Sequence, residues 1–370
     1  MNARKRGIYI KKFNYKNIGK ALFGLVTIPF AFQGIVDIFH IKEMIKDEWI
    51  HLLGIDTENG LYYGLSNIVN CWKYGKIILW VLLLLFGVSI IAQIVYFLKE
   101  NRQERLLLIE HNSINQMNFR VEKSCKDDYI LVPYRLDQFN IFNSNLPLEE
   151  MIISAISNLE LHIDKIKEKI VRGRCLSGYA GIANIPMTFL LGYELGDENR
   201  KLYFHKYHGR KTPDALKDDA FHLLREGVSQ LSLKCEVIKD MDFTKEGKIL
   251  LLIQLTQPVK EPDYLAVIEE NDYIVKFYVS DTIDYDIVNS SSQIDEYADT
   301  ILCWIAERQK ETNITQIKIC IAASSAFIFA LGTKFSKTQN KETVIFHYEK
   351  DTYPWGINVY RKTPVILKDV

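Results

Sequence analysis

The sequence predicts an α/β protein in which a two-helix transmembrane segment precedes a duplicated Rossmann-like unit. Two observations indicate this fold: two long apolar stretches lie near the N-terminus, and short apolar runs alternate with helical patterns through the remainder. The 370 residues suffice for two or three domains. We expect a membrane region over residues 1–105, a linker with strands over 106–145, and one α/β domain over 146–370.

Charge and motif content exclude several classes of protein. Lys plus Arg and Asp plus Glu both number 46, so the formal net charge is zero and we expect no direct DNA or RNA binding. No P-loop, G-x-S-x-G, H-E-x-x-H or G-x-G-x-x-G motif stands in its required context. The six cysteines show no C-x-x-C spacing. The sequence therefore predicts no metal site, no cofactor and no catalytic residue.

Two apolar stretches predict membrane spans at about residues 18–39 and 77–98. The second stretch runs 22 residues without a charge. At ~1.5 Å per residue it forms about 33 Å of helix, enough to cross a bilayer core. The first stretch contains Pro29, Gln33 and Asp37, and a buried soluble helix or a signal peptide is the alternative explanation for it. These three residues are the candidate membrane-effector residues, with interfacial polar side chains as the other explanation for Gln33 and Asp37.

The charged flanks predict how the two spans are oriented. Seven basic and no acidic residues lie in positions 1–20, whereas residues 40–76 carry both signs in similar numbers. By the positive-inside rule the N-terminus faces the cytoplasm, and two spans return the C-terminal part to the same side. We expect a two-pass protein with both termini cytoplasmic.

Hydrophobic periodicity predicts the elements that follow. A strand is expected at 129–134, and a helix from 146 onward. The apolar stripe of that helix consists of Met151, Ile152, Ala155, Leu159, Ile163, Ile166 and Ile170.

Further along the chain the same patterns predict two strands and a helix. The strands are expected at 248–257 and 273–281. The helix is expected to begin near Ser292, with Asp295 completing a capping-box-like start.

One structural unit occurs twice, in residues 175–210 and again in 318–351. Both copies read as an apolar strand, a small-residue turn, an apolar helix, a polar turn and a second strand that ends in an aromatic residue and a histidine. The identical pairs, spaced by 140 and then 142 residues, are Ala183 with Ala323, Phe189 with Phe329, Leu191 with Leu331, Gly192 with Gly332, Phe204 with Phe346 and His205 with His347. This repeat predicts two α/β half-units that face one another.

The strand-to-helix turns of the repeat, at 178–186 and 322–326, are candidate ligand contacts. Ligands of open α/β sheets bind beyond the carboxyl ends of the strands, and helix N-termini there favour anions. Asn184, Ser324 and Ser325 add short donors suited to phosphate or ribose. The alternative is that small residues at these turns merely permit tight strand-to-helix packing.

The second copy reads ICIAASSAFIFALG, then VIFHYE and YPWGI, and together with the duplication it resembles the SAVED sensor domain. SAVED domains look like two fused CARF-type units, and in bacterial CBASS antiphage systems they bind a cyclic oligonucleotide made by a partner nucleotidyltransferase. The resemblance covers about residues 146–370. Family versions often have Pro in the turn where this chain has Ser324 and Ser325, whereas the first copy keeps Pro186.

The resemblance implies a cyclic di- or trinucleotide as the ligand and a set of residues that contact it. Tyr207 and Tyr348 would stack on bases, at about 1 to 3 kcal/mol per base, and Arg210 would neutralise phosphate, with a solvated basic loop as the alternative. The full set of implied ligand-binding residues is Ala183, Asn184, Ile185, Tyr207, Arg210, Ser324, Ser325 and Tyr348.

Two spans joined to such a sensor resemble the membrane-disrupting effectors of CBASS. This resemblance implies that ligand binding drives homo-oligomerisation and that the oligomer disrupts the lipid bilayer of the bacterial inner membrane, causing abortive infection. Two alternatives stay open. One is a membrane-anchored, ring-cleaving nucleotide-processing enzyme that uses His205 or His347 as general acid–base, and the other is a non-catalytic scaffold.

Overall fold

A computed structural model describes residues 103–367 except 117, 207–219, 229–230, 280–284 and 312, together with 87 and 89–95. The chain divides into two units, Met1–Tyr96 and Phe97–Val370. In the first unit, residues 89–95 are helical, within the predicted span 77–98. Among the described residues, no helix has the length and apolar character needed to cross a membrane. The predicted span 18–39, with Pro29, Gln33 and Asp37, lies outside the described residues.

The second unit consists of two halves with similar element order. In chain order, the first half contains β1 (Glu104–Asn112), β2 (Arg120–Val121), α1 (Lys123–Asp128), β3 (Tyr129–Asp137), α2 (Phe139–Phe142), α3 (Leu148–Gly173), β4 (Leu176–Ile182), α4 (Ile185–Leu195), β5 (Lys201–His205) and β6 (Ala220–Leu223). The second half contains β7 (Lys234–Lys239), β8 (Gly247–Gln254), α5 (Glu261–Tyr264), β9 (Tyr273–Tyr278), α6 (Ser291–Arg308), β10 (Ile314–Ala322), α7 (Ser325–Lys334), β11 (Glu342–Glu349), β12 (Thr352–Asn358) and β13 (Thr363–Ile366).

Each half has one sheet, of six strands in the first half and seven in the second, and the inner strands of the two sheets share one topology. The first sheet has the order β2-β6-β5-β4-β1-β3, and the second has β13-β12-β11-β10-β8-β9-β7. In both, a central strand pairs in parallel with two neighbours, β1 with β3 and β4, and β8 with β9 and β10. The next strand is also parallel, and the one after it antiparallel. The predicted duplication is therefore present in the fold.

The strand register reproduces the spacings of the sequence repeat. Tyr179 pairs with Tyr203 in the first sheet, and Ile319 pairs with Ile345 in the second. These positions differ by 140 residues in the first strand of each pair and by 142 in the second, as the identities predict.

Residues 106–145 differ from the linker that we expected. β1 lies between β3 and β4 in the first sheet, and Leu106 to Ile109 are buried on both of its faces. Strands of a parallel sheet that are covered on both faces read as continuous apolar runs, which is the pattern of LLLI in β1. This stretch therefore supplies the central strand of the first half.

The main apolar core lies between the inner faces of the two sheets and the long helices. It includes residues of α3, α4, α6 and α7 from both halves. The predicted stripe of α3 is largely confirmed, because Ile152, Ala155, Leu159, Ile163 and Ile166 are buried, and Ile156 joins them. The opposite, outer face of each sheet carries a smaller apolar cluster of its own.

Helix α6 begins slightly earlier than predicted. Its N-cap is Ser290, whose hydroxyl oxygen accepts a hydrogen bond from the backbone N–H of Gln293 at 3.3 Å. The side-chain oxygen of Gln293 in turn accepts a hydrogen bond from the backbone N–H of Asn289. Asp295, expected to complete the cap, lies two residues beyond Gln293, and its carboxylate is 4.0 Å from Lys334 Nζ.

Helices α4 and α7 pack closely across the boundary of the halves. A Cβ at Gly192 would overlap the carbonyl oxygen of Phe329, and a Cβ at Gly332 would overlap the carbonyl oxygen of Phe189. These are the repeat pairs, and each glycine meets the phenylalanine of the other copy. The crossed contacts are those of an approximate two-fold axis between the helices.

Candidate functional site

The two strand-to-helix turns of the repeat adjoin at one edge of the second unit. β4 ends at Ile182 and β10 at Ala322, and α4 and α7 begin three residues later, at Ile185 and Ser325. The Ser325 hydroxyl donates to the carbonyl oxygen of Gly181 at 2.5 Å. This bond joins the second turn to the carboxyl end of β4 in the other half.

The Asn184 side chain connects the two halves and does not cap its own helix. No side-chain cap bond forms at the start of α4. Instead, the Asn184 backbone N–H donates to Ser113 Oγ at 2.7 Å, and the Ser113 hydroxyl donates to Asn184 Oδ1. The amide nitrogen Nδ2 lies 3.1 Å from His347 Nε2, at the end of β11. The Ser113 contact thereby fixes which end of the amide faces His347.

This network assigns the protonation of His347. Because an amide nitrogen only donates, His347 Nε2 accepts, and the proton of the neutral ring is on Nδ1. Burial lowers the pKa of His347 to about 4, so the ring is neutral near pH 7. Among the described residues, Nδ1 is buried without a hydrogen-bond partner. Such an unpaired buried donor costs about 1–3 kcal/mol.

The second turn is built differently from the first. Ser324 caps α7, since its hydroxyl oxygen accepts from the backbone N–H of Phe327 at 3.4 Å. Ser325 uses its hydroxyl proton on Gly181, which leaves acceptor capacity on its oxygen. Ala183 is buried, while Ile185 packs partly against the main core.

A buried polar network next to this edge links β1, β4, α3 and α4 of the first half. Gln138 Oε1 lies 3.1 Å from His111 Nε2, and the Gln138 amide donates to the Ala155 carbonyl of α3 at 2.8 Å. The Tyr179 hydroxyl lies 3.4 Å from His111 Nδ1 and donates to Thr188 of α4 at 3.2 Å. Burial lowers the pKa of His111 to about 4, against the opposing effect of the Gln138 bond.

The Tyr179 ring connects this network to the other half. It stacks on Phe329 of α7 with ring centroids 4.2 Å apart and planes 3° from parallel. Sequence reasoning missed His111, Ser113 and Gln138 because they lie in the stretch taken as a linker. The available signal was the polar run at 110–113 directly after the apolar strand.

The remaining expected site residues lie elsewhere. Tyr348 packs against the outer-face cluster of the second sheet, and its hydroxyl donates to Asp351 at 3.2 Å. Successive strand residues point to opposite faces, so Tyr348 and its neighbour His347 face apart. Tyr207 and Arg210 lie outside the described residues. His205, the repeat partner of His347, lies 3.2 Å from Asp286 Oδ1.

The described residues contain no cluster of three or more His, Cys, Asp or Glu that is suited to hold a metal ion. The arrangement is one of hydrogen-bond donors, helix starts and neutral buried rings.

Two α/β halves whose sheets share the order of their inner strands, and which meet through their helices, define a duplicated Rossmann-like domain. The chain belongs to the SAVED family, described as the "SMODS-associated and fused to various effectors sensor domain", which matches residues 159–359. That match begins inside α3, so β1 and β3 precede it. No curated protein matches the sequence.

Several solved structures are similar to this chain. One is the Acinetobacter baumannii Cap4 SAVED/CARF-domain containing receptor with the cyclic trinucleotide 2'3'3'-cAAA, with a TM-score of 0.44 and 12% identity over 68% of this chain and 50% of that chain. The same receptor with 3'3'3'-cAAA gives 0.44 and 11% over the same shares. The Moraxella osloensis Cap4 receptor gives 0.39 and 10%, over 68% of this chain and 49% of that chain. The chain spans about half the length of these receptors.

Proposed function

We propose that this chain is a sensor that binds a cyclic oligonucleotide second messenger at the shared edge of its two halves. The observation that carries the proposal is the contact of Asn184 with His347, which joins the first turn to β11 of the other half through Nε2, while the buried Nδ1 has no partner among the described residues. Membership of a family of sensor domains supports it. The ligand would be a cyclic di- or trinucleotide made by a partner nucleotidyltransferase.

The start of helix α4 suits a phosphate group. The first N–H groups of a helix have no partner within the helix, and they bind anions together with the helix dipole. The Asn184 side chain forms hydrogen bonds with Ser113 and His347, so it does not accept a bond from the first N–H groups of α4. A phosphate of the ligand would accept from the N–H groups of Ile185 and Met187, because Pro186 has none.

His347 and Ser325 would then contact the sugar or the base. His347 Nδ1–H donates to a ligand acceptor, and Ser325 Oγ accepts from a ligand hydroxyl or amino group. Both side chains also take part in contacts between the halves. Ligand contacts there would therefore alter how the two halves contact one another. A change of that kind is the output expected of a sensor.

We propose binding without turnover. In its neutral form His347 offers a proton donor at Nδ1 and has Nε2 engaged by Asn184, which suits recognition more than proton abstraction. A ring-cleaving enzyme is the rival function, and it predicts that incubation with the protein converts a cyclic oligonucleotide into linear products. Chromatography of the ligand after incubation separates the two, because a sensor returns the ring intact.

For the output we propose ligand-driven homo-oligomerisation followed by disruption of the bacterial inner membrane and abortive infection. The apolar stretches at 18–39 and 77–98, and the basic flank before the first, support a two-pass membrane region with cytoplasmic termini. In an assembled state Pro29, Gln33 and Asp37 would face neighbouring spans and not lipid.

The test uses the purified full-length chain in lipid vesicles loaded with a self-quenched dye. Addition of one cyclic di- or trinucleotide of a panel should raise the sedimentation coefficient of the detergent-solubilised protein and release dye from the vesicles. Linear forms of the same nucleotides serve as the control and should do neither. Unchanged sedimentation across the whole panel would contradict the sensor, whereas assembly without dye release would contradict only the membrane step.

A further inference from the structure

The outer faces of the two sheets differ at equivalent positions. The strand registers align Leu108, Gly178 and Pro133 of the first half with Leu250, Lys318 and Ile274 of the second. These three residues of each half lie side by side on adjacent strands. They give a direct comparison of what covers each outer face.

In the second half, residues 259–268 cover this position. Val259, Tyr264 and Val267 are buried there against Leu250 and Ile274. Lys318 holds this covering segment, residues 259–268, against the sheet. Its ammonium group donates to the Val267 carbonyl at 2.8 Å and to Asp272 at 2.9 Å.

In the first half, Leu108 and Pro133 line a cavity of about 670 Å³, which we name the outer cavity, while Gly178 lies beside it under Leu106 and Phe204. Leu108, Leu131 and Pro133 lie on its floor strands. Gly178 stands where the second half has Lys318, and Leu131 stands where it has Asp272. The first half thus lacks the two charged groups that anchor the cover of the second half.

The acidic and the basic groups of the outer cavity lie at different depths. Glu110 is 8% exposed, and burial raises the pKa of its carboxyl group, with Arg135 opposing that effect from 3.9 Å. The Glu122 carboxylate accepts from the Leu223 N–H at 3.1 Å. Among the exposed lining residues, Arg120, Lys123 and Lys126 are basic, whereas Ser124 and Pro133 are uncharged. Acceptors therefore lie deep in the cavity and cations at its rim.

We propose that the outer cavity is a second nucleotide site, specific for guanine. Its volume lies within the ~300–1,000 Å³ of small-molecule sites. The buried carboxyl group is that of Glu110, and an ionised carboxylate only accepts hydrogen bonds. Guanine presents two adjacent donors, N1–H and the N2 amino group, whereas the corresponding edge of adenine pairs a donor with an acceptor.

The remaining lining groups complete the match. The faces of the guanine ring would contact the apolar floor, and Phe119 adds an aromatic ring to the lining, stacked on Phe221 at 5.1 Å. Arg120, Lys123 and Lys126 at the rim would bind the phosphate by charge-assisted hydrogen bonds. This site is independent of the cyclic oligonucleotide site and does not rest on it.

The test titrates GMP, IMP and AMP into the purified full-length chain by calorimetry. GMP should bind saturably, and IMP, which lacks the N2 amino group, should bind about tenfold or more weakly. Glu110→Gln should weaken GMP binding by a similar factor, while Glu104→Gln, an exposed position on the same strand, should leave it unchanged. Leu131→Trp should fill the cavity and abolish binding, with a melting curve to show that the variant is folded.

Three results would overturn the inference. They are no saturable GMP binding, equal affinity for all three nucleotides, and GMP binding that survives Leu131→Trp in a folded protein. If Leu131→Trp fails to fold, Lys123→Glu at the exposed rim replaces it, and unchanged GMP affinity in that variant would also contradict the site.

Discussion

Asn184 and His347 lie 163 residues apart in the chain, yet Nδ2 of one is 3.1 Å from Nε2 of the other. The bond joins the turn before α4 in the first half to the end of β11 in the second. Helices α4 and α7, which begin at this edge, pack against one another further along, through Gly192 and Gly332. The bond and the helix contact therefore both join the two halves.

The first prediction concerns that helix contact. Gly192→Ala places a methyl group against the Phe329 carbonyl oxygen, and backbone atoms give way less easily than a flexible side chain. We expect a loss of about 1–3 kcal/mol in the free energy of unfolding, measured by urea denaturation. Gly173→Ala, at the last position of α3, is the control, because a Cβ there would meet a side-chain atom, Cys175 Sγ, and no backbone atom. Equal stability of the two variants would contradict the account of the contact.

The second prediction concerns the buried ion pair of the second half. Lys318 Nζ lies 2.9 Å from Asp272 Oδ2, with the two side chains 4% and 1% exposed. Lys318→Met leaves the Asp272 carboxylate buried without its cation, and we expect a loss of about 3–5 kcal/mol. Adding Asp272→Asn should recover part of that loss, because the uncompensated charge is removed. Strictly additive effects in this double-mutant cycle would show that the pair is not coupled.

The third prediction concerns pH. His111 and His347 have pKa values lowered to about 4 by burial, against about 6.5 for an unperturbed histidine. Between these values the unfolded state binds more protons than the folded state, so stability is full above about pH 6.5 and is lost as the pH falls towards 4. Each histidine contributes up to roughly 3 kcal/mol to this loss.

Urea denaturation between pH 7 and pH 5 measures the effect. His347→Gln should reduce the slope of unfolding free energy against pH by roughly one proton relative to the natural chain, since one buried titrating group is gone. Identical slopes in the two proteins would mean that His347 titrates normally in the folded state.

The sequence predicted the duplicated half because its two copies repeat the same local pattern, from Ala183 to His205 and from Ala323 to His347. It did not predict that β1 belongs to the first half, since strand pairing between Leu106 and Leu176 depends on contacts distant in the chain. Four of the residues expected at the edge, namely Ala183, Asn184, Ser324 and Ser325, are brought together there.

The partners of those residues were harder to predict. His347 was considered as an acid–base group, and its bond to Asn184 depends on a contact between residues 163 apart in the chain. Tyr348 was expected beside the ligand, although strand alternation places it on the face opposite to its neighbour His347. Ser113 lies in a segment whose polar run carries no repeat signal.

The most direct test of the central claim is the affinity of a cyclic oligonucleotide for the natural chain and two asparagine variants. The full-length protein is titrated by calorimetry with cyclic di- and trinucleotides, and the ring that binds is then titrated into Asn184→Ala and into Asn199→Ala, an exposed asparagine of the same half. We predict saturable binding to the natural chain and to Asn199→Ala, with affinity reduced about tenfold or more in Asn184→Ala. Equal affinity in all three proteins would contradict a ligand site at the edge between the halves.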